Sequence, residues 1–71
     1  MDLQQQLNTT AQYASEALKR ADRLNGVIEH LKSHGQSTAS AEEQRSQFRA
    51  MAQAYSAHRD HLMETLASKR S

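Results

Sequence analysis

Apolar and small residues recur along the first half of the chain at Leu3, Leu7, Thr10, Ala14, Ala17, Ala21, Leu24, Ile28 and Leu31, in alternating steps of four and three. This is the spacing of a helix that presents a narrow seam to another helix. With Leu7, Ala14, Ala21 and Ile28 at heptad position a, the rest fall at d, and the phase runs straight through Gly26. Asn25-Gly26 is a turn dipeptide, but a stop there would make the in-phase Ile28 and Leu31 coincidental. Gly35 is the better stop, because Lys32 and His34 then occupy the last turn, where positive charge suits the helix dipole. Gly26 is left at an outward f position, at a cost of about 1 kcal/mol relative to alanine, with soft or bent last turns expected. Asp2 followed by Gln5 marks the helix start as a capping box.

The second half repeats the pattern less cleanly. Phe48, Met51, Ala52, Tyr55, Leu62 and Leu66 lie at helical spacing, with His58 filling the step between Tyr55 and Leu62. Ser40 and Glu43 form a second capping box, and Glu42 and Glu43 suit a first helical turn. The pattern ends near Ala67, after which Lys69 and Arg70 complement the dipole of a frayed end. The expectation is one all-α unit over residues 1–71: helix one about 3–34, a small polar loop about 35–40, and helix two about 41–67.

Two helices of that length joined by so short a loop fold back as an antiparallel, coiled-coil-like hairpin. Counting outward from the loop puts Leu24 near Met51, Arg20 near Tyr55, Ala17 near His58 and Glu16 near Arg59. Bulky residues of helix two thus face the small Thr10, Ala14, Ala17 and Ala21 of helix one. One such interface, in a 71-residue chain with one Phe, two Tyr and no Trp, is a thin core for ordering so many residues. Cysteine is absent, so no disulfide or thiolate metal site adds stability. Apolar residues outside the seam therefore become the candidate partner or dimer interface: Tyr13, Leu18, Val27 and Met63, the Ala50, Ala54 and Ala57 stripe, and Gly26 at its border. Alanine's helix propensity alone would also place it on exposed faces. A homodimer closing into a four-helix bundle, or a groove for a partner helix, are the two expected uses.

Composition removes other classes. The absence of proline and the abundance of Ala, Gln, Glu, Leu and Arg favour helix over strand. Nine basic against eight acidic side chains give a net charge of +1, without the strong positive field of a dedicated nucleic-acid binder. Lys19, Arg20 and Arg23 are the candidate contact for the alternative reading, RNA binding by a dimer, although Glu16 and Asp22 lie among them. No stretch reaches the ~20 apolar residues of a membrane span, and a signal-peptide pattern is lacking, so a cytoplasmic protein is expected.

The histidines fall as His30 with His34 and His58 with His61, spacings that put each pair on one helical face. The pairs lie ~20 Å apart along the hairpin, so they do not share a site. His34 is read as part of the helix-one terminus and His58 as seam filler. No metal, cofactor or small-molecule substrate is expected, and a two-helix hairpin has no deep pocket for catalysis, so the expectation is not an enzyme.

In size and helix-loop-helix plan, over nearly all its length, the chain resembles the small co-chaperones that hold type III secretion needle subunits with a larger repeat-containing chaperone. It also resembles the plasmid copy-number hairpin that dimerises into a four-helix bundle and binds paired RNA loops. A small bacterial or phage inhibitor that docks on a host protein has the same plan. These likenesses imply a non-enzymatic interaction module that sequesters, chaperones or inhibits its partner.

Overall fold

The structure is a computed structural model that describes residues 2–70. Two helices, α1 (Leu3–Ser33) and α2 (Ala39–Arg70), pack against each other along their length as an antiparallel hairpin measuring 57 × 16 × 14 Å. Ser71 and the side chain of Arg70 lie outside the described part. No described helix is long and apolar enough to cross a membrane.

α1 begins where Asp2 caps it. The Asp2 Oδ1 accepts from the Gln5 amide at 2.7 Å, satisfying one of the free donors of the first turn. The helix then runs unbroken through Gly26, where an added Cβ would meet nothing within 4 Å. It ends in a Schellman turn: the Gln36 amide donates to the Leu31 carbonyl at 2.9 Å and the Gly35 amide to the Lys32 carbonyl at 3.1 Å. Gly35 has φ +66, the left-handed conformation this turn requires and that only glycine adopts without cost. His34 closes the same end, its Nδ1 lying 2.9 Å from the His30 carbonyl oxygen and its ring centroid 4.3 Å from that of His30, the two rings tilted by 40°.

α2 starts at Ala39, two residues before the expected Ala41. The Glu42 amide donates to the Thr38 carbonyl at 2.9 Å, so Ser40 lies inside the first turn rather than capping it. Ala41 is buried in the seam, and the turn that carries it must already be wound. The helix also extends to Arg70, past the expected Ala67.

All nine expected seam residues of α1 are buried or half-buried. On α2 the seam is Ala41, Arg45, Phe48, Ala52, Tyr55, Arg59, Leu62 and Leu66, an unbroken four-three series. This corrects two expectations. His58 is exposed and does not fill the seam, and Met51 stands at its rim; Arg59 takes the step between Tyr55 and Leu62 instead. An arginine can do so because its aliphatic stem covers apolar surface while the guanidinium reaches water. Arg59 pairs with Asp60 at 3.3 Å rather than with Glu16.

The pairing along the hairpin is displaced by one heptad. Tyr55 meets Tyr13, not Arg20, with ring centroids 5.5 Å apart; Arg20 lies over the Phe48 ring at 5.8 Å; and Arg45 donates to the Asn25 side chain at 2.9 Å. The Schellman turn causes the displacement: it reverses the chain at His34 and Gly35, ahead of the loop's midpoint. Small residues still meet large ones, with Ala14 and Ala21 near the levels of Tyr55 and Phe48.

Candidate interaction surface

Only two large apolar residues are buried in the seam among the described residues, Ile28 and Leu62; the rest of the buried set is alanine and Thr10. Five large apolar side chains stand outside: Tyr13 at 47% exposure, Leu18 at 51%, Val27 at 45%, Met51 at 42% and Met63 at 51%. Their heptad positions sort them. In an antiparallel pair, g positions of both helices line one side of the seam and e positions the other. Tyr13, Val27 and Met51 are g residues and share a side with half-buried Phe48 and Tyr55 at their base. Leu18 and Met63 are e residues on the opposite side.

The tyrosine side carries an open groove of 240 Å³, floored by Ala17 and Phe48 and walled by Tyr13, Tyr55 and Met51, with Glu16 and Arg20 at its rim. The Tyr13 and Tyr55 rings are tilted by 49°, one of the geometries that aromatic quadrupoles favour. On the Leu18 side a shallower cleft runs between Leu18, Ala52 and Ala57, and Arg49 and Asp60 also line it. Both are open clefts between helices.

The eight residues expected to form one interface are all exposed, but the hairpin does not bring them together. Tyr13, Val27 and Ala54 belong to the tyrosine side; Leu18 and Met63 lie on the other; Gly26, Ala50 and Ala57 occupy f positions that point away from the seam, Ala57 reaching the edge of the Leu18 cleft. The Ala50, Ala54 and Ala57 stripe therefore runs along the outer face of α2, away from Leu18 and Met63 and only partly toward Tyr13.

Lys19, Arg20 and Arg23 do cluster, with Glu16 among them, and this basic group adjoins the aromatic groove through Arg20. Tyr55, a seam residue as expected, is half-buried and also walls that groove.

His30, His34, His58 and His61 occupy c and g positions, so all four line the tyrosine side, yet the two pairs lie at different levels of the hairpin. Among the described residues no group of three or more His, Cys, Asp or Glu could hold a metal ion.

Arg45 and Asn25 were missed as functional or structural positions. Arg45 enters the seam, and its Nε is buried without a hydrogen-bond partner while one terminal nitrogen is held by Asn25. A polar residue at an a position lowers stability but fixes which helix pairs with which, and in what register. The signal was present in the spacing from Ala41 through Arg45 to Phe48, once an arginine is allowed into the seam. No protein-family model, no curated protein and no solved structure matches this chain.

Proposed function

We propose that this chain is a non-enzymatic protein-protein interaction module, a helical hairpin that works by packing an exposed apolar side against another protein surface. The observation that carries this reading is the inverted distribution of side chains. The fully buried part of the seam is mostly alanine, while Tyr13, Val27 and Met51 lie outside it on one side. Tyr13 and Met51, grouped with half-buried Phe48 and Tyr55 around a groove that Glu16 and Arg20 rim, have the anatomy of a contact surface.

A photoreactive residue in place of Met51, with a control in place of Glu64 on the back of α2, tests it in the native cell. Position 51 gives protein adducts and position 64 does not; Ala54→Arg, which puts bulk and charge on the same side, abolishes them. No adduct from position 51 would refute the reading. Nucleic-acid binding through Lys19, Arg20 and Arg23 is separated by salt, since phosphate contacts weaken steeply as salt rises and an apolar contact does not.

A further inference from the structure

Resting on the reading of the tyrosine side as a protein-contact surface, we infer that its occupant is a second copy of this chain, packed antiparallel so that Glu16 of each copy meets Arg20 of the other.

The first support is area. The chain exposes 5213 Å², whereas a compact monomer of 8.0 kDa exposes about 4,450 Å². The difference is close to the roughly 800 Å² that each partner buries in a standard interface. A rod two helices thick thus lacks about one interface's worth of cover, and a second hairpin laid on one side supplies it as a four-helix bundle.

The second support is that the tyrosine side is its own complement. A two-fold interface requires one patch to match itself. Glu16 and Arg20 sit four residues apart at the groove rim, and neither forms an ion pair among the described residues. A two-fold axis midway between them brings each carboxylate to the other copy's guanidinium. The same register sets Tyr13 against Arg23 of the second copy, a cation–π pairing, and Val27 against Thr9. Moving the axis by two residues, to bring Tyr13 onto Val27, would place Arg20 on Arg20, so charge selects the first register.

The Tyr13–Tyr55 and Arg20–Phe48 contacts put the midpoint of Glu16 and Arg20 beside residue 50 of α2, so the same axis passes close to Met51 and the exposed Met51 of each copy lies near that of the other. The Leu18 side has no such match. Its two exposed apolar residues are far apart, and Asp22, Glu29 and Asp60 line it.

Sedimentation equilibrium with two charge variants tests the arrangement. The native chain sediments at twice 8.0 kDa. Glu16→Arg and Arg20→Glu each set like charges against each other across the two-fold, and each dimerises roughly tenfold more weakly or worse. Mixed one to one they form a heterodimer, because every cross-copy contact is then between opposite charges. Glu16→Arg sets a cation beside Arg20, and Arg20→Glu sets an anion beside Glu16 and removes the Phe48 contact; mixing leaves these effects within each chain unchanged, so recovery on mixing reports contact between copies and not helix stability. The thermal midpoint of the native chain, which rises with protein concentration if a dimer forms, provides a reading that needs no variant.

A native chain that is monomeric at every concentration overturns the inference, as do variants that dimerise alone as well as the native chain does. If the native chain is monomeric but position 51 still gives adducts with another protein, the dimer fails and the interaction reading stands. If no adducts form either, both fail.

Discussion

The two glycines should respond to the same substitution with opposite signs. Gly26 lies inside α1 with no atom within 4 Å of where a Cβ would stand, so alanine there meets no obstacle. It removes the propensity cost of an interior glycine, and Gly26→Ala stabilises the hairpin by about 0.5–1 kcal/mol. Gly35 also has open space around its Cβ position, but its φ of +66 belongs to the left-handed region. Alanine there costs about 1–2 kcal/mol, and the two hydrogen bonds of the Schellman turn are the ones put at risk. The variants therefore differ by about 1.5–3 kcal/mol, although neither adds or removes a tertiary contact. For a chain of this length each kcal/mol moves the melting midpoint by about 4–8 °C. Thermal unfolding followed by far-ultraviolet circular dichroism, at one fixed protein concentration, resolves such a separation. A lower midpoint for Gly26→Ala would refute a continuous α1, and an unchanged one for Gly35→Ala would refute the left-handed turn.

Other substitutions probe the seam and the tyrosine side. Arg45→Met removes a buried unpartnered donor and raises the urea midpoint by an amount worth about 1 kcal/mol, whereas Asn25→Ala strips the guanidinium of its partner and lowers it by a similar amount. Ile28→Ala, at a buried seam position, costs about 2–4 kcal/mol in chemical denaturation, while Leu18→Ala on the exposed side changes stability by less than about 0.5 kcal/mol. Tyr13→Ala loses the ring pair with Tyr55, worth about 0.5–1.5 kcal/mol beyond its area, and a double-mutant cycle with Tyr55→Ala recovers that coupling.

The helices were legible in the sequence to different depths. α1 could be read residue by residue because all its seam positions are apolar or small and the four-three spacing never breaks. α2 hides two seam positions behind arginines, whose stems pack while their charge argues for the surface; Arg59 was passed over for its neighbour His58, and Met51 was drawn into the seam. The heptad displacement had a different origin. Residue counting fixes the loop's length but not where along it the chain reverses, and here the hydrogen bonds at Gly35 and Gln36 decide that. Once register and seam are set, the sides follow. Tyr13, Val27 and Ala54 separate from Leu18 and Met63, a division invisible while α2 was phased on His58.

A hairpin joined at one end has a direction built into its cohesion. Contacts beside the turn, where Arg45 reaches Asn25, close a short stretch of chain, while those between the far ends of the helices close nearly all of it. Each more distant pair carries a larger loop-closure entropy unless the pairs nearer the turn are already formed. Formation from the turn outward is thus the least costly order, and opening starts at the other end. Amide hydrogen exchange would grade along the rod, slowest near Ile28 and fastest toward Leu3 and Leu66. Molecules that grip the open end would meet a pair of separable helices, and those that grip the turn a fixed corner.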